Sequence, residues 1–212
     1  MTNLARPAAV RAVVWDLGGV ILRTMDWSLR AQWEDRLGLP PMELTRLVFE
    51  SDASRRATLG QASDDDVWQS VADVLRLDPP TRDQLRRDYF AHDRIDVALM
   101  EFIRGLRSRV RVGMITNAWP GVRRYLVNEF QIADAFDPLI ISAEVGLAKP
   151  DPRIYQLTLE RLGMEPAEAV FVDDFEDNVA GARWVGMQAL HFTSTPQAIA
   201  SLRSLITHTP EG

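Results

Sequence analysis

Six polar residues stand directly after short apolar runs, and their types suit chemistry on an anion. Asp16 closes Ala12-Val13-Val14-Trp15 and precedes Gly18-Gly19; Thr116 and Asn117 follow Val110-Arg111-Val112-Gly113-Met114-Ile115. Lys149 lies in Gly146-Leu147-Ala148-Lys149-Pro150, just past Leu139-Ile140-Ile141, while Asp173 and Asp174 follow Ala169-Val170-Phe171-Val172. In an open α/β sheet, ligands sit outside the carboxyl ends of the strands, near the point where strand order reverses. Three carboxylates, a hydroxyl and a lysine are therefore expected on one edge. Clustered carboxylates cannot all ionise unaided and call for a cation. Oxygen donors in small number suit Mg²⁺, which keeps several waters and binds beside phosphate. Lys149 is the only lysine in the chain. A compact ammonium where every other side-chain cation is a guanidinium hints at a place arginine cannot fill. Taken singly, each residue has a structural reading: Asp16 or Asp173-Asp174 as helix caps, Thr116-Asn117 as a turn, Lys149 as a solvated side chain. Their convergence favours a site.

The elements that must position these residues are legible. The apolar runs named above, with Gln188-Ala189-Leu190-His191-Phe192, read as buried parallel strands. Helical patterns lie between them, and alternation of strand and helix predicts a Rossmann-like, doubly wound α/β sheet. Asp151-Pro152 opens one helix and Gly163 closes it. Thr195-Pro196 opens the last, Pro120 opens another, and Asp96 caps the helix of Leu99, Phe102, Ile103 and Leu106. Roughly 95 residues separate the first two strands, whereas a crossover needs only about a dozen. The surplus, residues 21–93, carries helical patterns and two capping-box candidates, Ser63-Asp64-Asp65-Asp66 and Thr81-Arg82-Asp83-Gln84. It reads as a small all-helical subdomain of four helices, inserted in an α/β core formed by 1–20 and 94–212. The acidic triplet 64–66 reads as a helix start.

Composition narrows the classes. With 46% hydrophobic and 25% charged residues, the chain of 212 residues is ordinary globular material. No cysteine occurs, which excludes disulfides, thiol catalysis and Cys-ligated metals. A net charge of −6 and no Lys/Arg cluster of sufficient scale argue against nucleic acid as a partner. No apolar run approaches the roughly 18 residues of a membrane span, nor is there a signal-peptide core. The expectation is a cytoplasmic protein with no membrane partner; the oligomeric state is not legible.

The motifs Val13-Val14-Trp15-Asp16-Leu17-Gly18-Gly19-Val20, Met114-Ile115-Thr116-Asn117, Lys149-Pro150-Asp151-Pro152-Arg153-Ile154-Tyr155 and Phe171-Val172-Asp173-Asp174-Phe175-Glu176-Asp177-Asn178 resemble those of the haloacid dehalogenase superfamily, most of whose members are Mg²⁺-dependent phosphatases. The stretch Ala180-Gly181-Ala182-Arg183-Trp184-Val185-Gly186-Met187 fits as well. The resemblance implies a phosphoric monoester hydrolase acting on a small phosphorylated metabolite through an aspartyl-phosphate. It implies Asp16 as nucleophile, Thr116 Oγ and the Asn117 backbone N–H on phosphate oxygens, and Lys149 neutralising both Asp16 and the phosphoryl group. It further implies Mg²⁺ held by Asp16, the Gly18 carbonyl and Asp174 directly and by Asp173 through water, with Asn178 orienting Lys149 or the acidic loop. Residues 21–93 would be the family's helical cap.

One position departs from the pattern. The phosphatases carry a second Asp two residues after the nucleophile, as general acid and base; here that residue is Gly18. Asp26 and His92 are weak replacements. Two other readings follow: a phosphate-ligand binding or regulatory module with little turnover, and a 2-haloacid dehalogenase, which needs no metal and lacks the paired acids. Trp15 and Trp184 are expected in the core, and Trp27 and Trp33 between insert helices. Trp119 could line the pocket mouth. Arg123-Arg124 are expected on an exposed helix face, and His191 and His208 show no catalytic pattern.

Overall fold

A computed structural model describes residues 9–207. Strand β1 (Ala12–Trp15) is followed by a short strand β2 (Leu22–Thr24), then by α1 (Ser28–Leu37), α2 (Glu43–Glu50), α3 (Asp52–Thr58), α4 (Asp64–Leu75) and α5 (Pro79–Phe90). Strand β3 (Asp93–Ile95) returns antiparallel to β2, so a two-stranded ribbon ties the five-helix insert to the core. The core resumes with α6 (Val97–Leu106), β4 (Arg111–Thr116) and the short helix α7 (Val122–Arg124), which runs into a π-helical turn at Tyr125–Glu129. Then come β5 (Leu139–Ile141), α8 (Ser142–Val145), α9 (Pro152–Leu162), β6 (Ala169–Asp173), α10 (Glu176–Trp184), β7 (Gln188–His191) and α11 (Thr195–Thr207).

The five core strands form one parallel sheet in the order β5-β4-β1-β6-β7. Because β1 is central and covered on both faces, its side chains are all apolar. Val13 and Trp15 pack on one face with Leu99, Ile103 and Leu202; Ala12 and Val14 pack on the other with Ile154, Tyr155 and Phe171. A separate cluster, including Trp33, Leu44, Val48, Trp68, Leu85 and Tyr89, holds the insert together. The chain is thus α/β, with a doubly wound parallel sheet flanked by helices. Among the described residues no helix is long and apolar enough to cross a membrane.

Several helix ends follow the sequence signals. Asp151 caps α9 with Pro152 at its first position and a left-handed Gly163 at its end; Asp96 caps α6 through the Leu99 N–H; Ser63 and Asp66 form the capping box of α4. Others do not. The box at Thr81 is not used: α5 begins two residues earlier, with Asp78 accepting the Thr81 N–H and Pro79 leading the first turn. Pro120 stands just ahead of α7, which Gly121 caps. The insert has five helices rather than four, and the β2–β3 ribbon was not anticipated. Trp184 is 74% exposed, contrary to expectation. Asn178, Val179 and Ala182 define the inward face of α10, and two residues beyond Ala182 a helix has turned some 200°. Trp15 and Trp33 are buried as expected, whereas Trp27 is half-exposed beneath the Arg30 guanidinium. Arg123 pairs with Glu144 on the surface. His208 lies outside the described residues.

Candidate active site

The carboxyl ends of β1, β4 and β6, adjacent in the sheet, deliver Asp16, Thr116 and Asp173 to one edge. Lys149 reaches the same point from the loop before α9. Its Nζ lies 2.7 Å from Asp16 Oδ1 and 2.6 Å from Asp173 Oδ2, with only 1% of the side chain exposed. The ammonium also sits 5.3 Å from the centre of the Phe171 ring, a favourable cation–π placement. A buried lysine is tolerated only when paired, and two carboxylates here do that.

Asp16 Oδ1 accepts the Leu17 N–H at 2.7 Å as well as the lysine. Both donors therefore fall on one oxygen, and Oδ2 keeps its lone pairs for an electrophile or a cation. Burial raises the Asp16 pKa to about 7; Lys149 opposes the shift and the Asp173 charge adds to it. Asp173 is fully buried. Its Oδ1 accepts the Phe175 N–H at 2.8 Å, and Asn178 Nδ2 spans both oxygens at 3.1 and 3.2 Å. Asn178 thus orients the carboxylate that orients Lys149. Asp174 is more open, and burial followed by the Asp173 charge raises its pKa.

Donor atoms of Asp16, Asp173 and Asp174 lie within 4.8 Å of one another. This all-oxygen set fits a hard divalent cation. Two features of it were not legible beforehand. A Cβ on Gly19, whose φ is +74°, would fall 2.0 Å from Asp174 Oδ2. Only glycine allows both that backbone and that approach, so the loop after the nucleophile is cut to fit the acid. The Asn117 side chain, moreover, clamps the backbone of Lys149: Nδ2 donates to the Lys149 carbonyl at 2.9 Å, and Oδ1 accepts its N–H at 2.8 Å. No local pattern announces a bond across thirty residues of sequence.

Gly18 lies at the same edge, bridged to Leu22. A Cβ built there meets nothing within 4 Å. Asp26 and His92 face each other instead, with His92 Nδ1 3.1 Å from the Asp26 carbonyl and 3.5 Å from its carboxylate. The Ser28 N–H holds the Asp26 carboxyl below its ordinary range, which makes it a poor proton donor at neutral pH. Trp119, proposed for the pocket mouth, is buried in the insert's cluster and donates from Nε1 to Ser54 Oγ at 3.1 Å. His191 Nε2 donates to the Asp174 carbonyl at 2.9 Å, and its Nδ1 lies 3.5 Å from the Glu176 carboxylate.

The family model for haloacid dehalogenase-like hydrolases matches residues 10–186. A phosphatase of Mycobacterium tuberculosis, MT3486, is 34% identical over 194 residues, covering 85% of this chain and 86% of that protein. Among solved structures, the HAD family enzyme bt-2542 of Bacteroides thetaiotaomicron, in complex with magnesium and inorganic phosphate, superposes with a TM-score of 0.73 at 18% identity, covering 87% of this chain and 95% of that one. A 2-haloacid dehalogenase from Pseudomonas syringae shares the fold at a TM-score of 0.60 and 22% identity, covering 93% of this chain and 98% of that one.

Proposed function

The chain belongs to the haloacid dehalogenase-like hydrolases, and from that premise we propose that it is a magnesium-dependent phosphoric monoester hydrolase acting on a small phosphorylated metabolite. The observation that carries this reading is the buried Lys149 ammonium bridging Asp16 and Asp173, with Asp174 completing the acidic set. Asp16 attacks phosphorus, the ester P–O bond breaks, and an aspartyl-phosphate forms; water then cleaves the acyl–phosphate. Splitting one displacement into two is the gain from covalent catalysis. Lys149 keeps Asp16 ionised and offsets charge on the phosphoryl oxygens. Thr116 Oγ and the Asn117 N–H hold those oxygens, and the Asn117 side chain keeps Lys149 in register. Asp16, the Gly18 carbonyl and Asp174 would hold Mg²⁺, with Asp173 joining through water. The metal would shield the nucleophile from the phosphate charge. The insert, taken as 21–93, is the cap that encloses the substrate against the core 1–20 and 94–212.

Gly18 favours one second reading, a phosphate-ligand module with weak turnover, because it brings no proton donor to the leaving group. A panel of phosphomonoesters assayed with Mg²⁺ and with EDTA, alongside Asp16→Asn, separates these. Phosphate release that needs Mg²⁺ and Asp16 supports the hydrolase. Ligand-dependent stabilisation without release supports the module. Metal-independent release of halide from 2-haloacids would overturn both.

A further inference from the structure

We propose that Asp64 and Ser54 are positioning residues: through the strap 117–121 they make correct seating of the helical insert a condition for holding Lys149 in place. The proposal rests on the reading of Lys149 as the charge that serves Asp16. Fixed points alternate along the strap. At its core end, Asn117 grips the Lys149 backbone through both polar atoms. The Ser142 hydroxyl then pins Ala118, accepting its N–H at 2.9 Å and donating to its carbonyl at 3.2 Å. At the insert end, Trp119 Nε1 donates to Ser54 Oγ at 3.1 Å, and the Gly121 N–H donates to Asp64 Oδ1 at 3.0 Å. The Trp119 ring is plugged into the insert's own apolar cluster, 5.6 Å from Phe49.

The glycine at 121 shows that the last contact is built. Its φ of −70° is ordinary helical backbone, which any residue adopts. Yet a Cβ there would fall 2.4 Å from Asp64 Oδ2. The missing side chain serves the approach of the carboxylate, not the backbone. Asp64 meets the start of the helical run 122–129, where a negative charge is favoured. Nor is Asp64 committed to its own helix, since Ser63 and Asp66 complete the capping box of α4 without it. A second close seat lies beside it: a Cβ on Gly60 would fall 2.2 Å from the Ala143 carbonyl of α8. Insert and Lys149 loop are thus joined by one short segment with anchors on both.

Because Lys149 is the only lysine, acylation at that residue reports its exposure directly. The protein is treated with an acetyl N-hydroxysuccinimide ester in EDTA, and the peptide containing residue 149 is followed by mass spectrometry against an added lysine peptide. Asp64→Ala and Gly121→Ala should each raise the labelling rate at least tenfold, and the double variant should exceed neither. Asp64→Asn still accepts the Gly121 N–H and should label as the wild type does. Ser54→Ala should shift the rate in the same direction by less. In parallel, kcat/KM for acetyl phosphate, a small substrate with a good leaving group, should fall at least tenfold in Asp64→Ala and recover in Asp64→Asn. Wild-type labelling in folded Asp64→Ala and Gly121→Ala overturns the proposal. Should those two fail to unfold cooperatively in urea, wild-type labelling of Ser54→Ala overturns it instead. A wild-type protein that releases no phosphate refutes the reading of Lys149, while labelling still decides the strap.

Discussion

Replacing Lys149 with Met tests the electrostatics of the site in the metal-free protein. The ammonium lies 2.7 and 2.6 Å from two carboxylates. At an effective dielectric of about 20 each contact is worth roughly 6 kcal/mol before desolvation is counted. Burial takes most of that back. What counts is the cost of removing one partner, about 3–5 kcal/mol, because the remaining charges are left buried and unpaired. Methionine fills a similar volume, so packing contributes little. For a chain of this length about 1 kcal/mol moves Tm by some 2–4 °C, so a fall on the order of 10 °C is expected in EDTA at pH 8. The loss should depend on pH. Asp16 already titrates at about 7, above its unfolded value of about 4. Removing the lysine raises it further, so the folded variant binds more protons than its unfolded chain across that window. Stability of the variant therefore rises as pH falls, and the gap to wild type should narrow from pH 8 to pH 5. Urea denaturation at the two pH values reads both quantities. A variant with the wild-type midpoint at pH 8, or a gap indifferent to pH, refutes the reasoning.

Gly18→Asp should restore a proton donor: the site has open space around the new Cβ, and general acid catalysis is typically worth about 10²–10⁴ in rate. The expected pattern is at least a tenfold gain in kcat for alkyl phosphates, with little change for p-nitrophenyl phosphate, whose leaving group needs no proton; equal effects on both, or a fall, would show that another acid already serves. Mg²⁺ at about 100 times its Kd should stabilise the wild type by roughly 2.7 kcal/mol, and Asp174→Asn should abolish most of that shift in a thermal melt. Ligand carboxylates must be ionised to bind metal, so with Asp16 held near pH 7 the apparent Mg²⁺ affinity should weaken as pH falls from 8 to 6. Calorimetry in two buffers of different ionisation enthalpy reads the released proton, and a pH-independent affinity contradicts it.

The strand ends were legible because a parallel strand buried on both faces must be apolar throughout, and the residue that ends it is then conspicuous. Asp16 after Trp15 and Asp173 after Val172 stand out for that reason. Asp151-Pro152 and Asp96 were legible because a cap acts within three residues of itself. What escaped depends on separation in sequence. The ribbon pairs Leu22–Thr24 with Asp93–Ile95, two three-residue strands too short and polar to announce themselves. The grip of Asn117 on Lys149, and the fit of Gly19 to Asp174, arise only once distant loops meet. Trp184 is different: the inward face set by Asn178, Val179 and Ala182 already placed it outside, and apolar character alone misled.

The charge balance at the sheet edge ties metal and phosphate together. Three carboxylates face a single lysine; burial raises the Asp16 pKa to about 7, against the pull of Lys149, and the Asp173 charge adds to the rise. A phosphoryl dianion brought to this edge would meet net repulsion. A divalent cation held by these carboxylates would cancel that excess of negative charge, favour the ionised form of Asp16 and offer the phosphate oxygens a positive partner. An organohalide makes no such demand: attack at a neutral carbon needs one ionised carboxylate, and further acids beside it would only hinder its deprotonation. The fold accommodates either chemistry. The presence of Asp174, given room by Gly19, is what a phosphoryl reaction requires and carbon displacement does not.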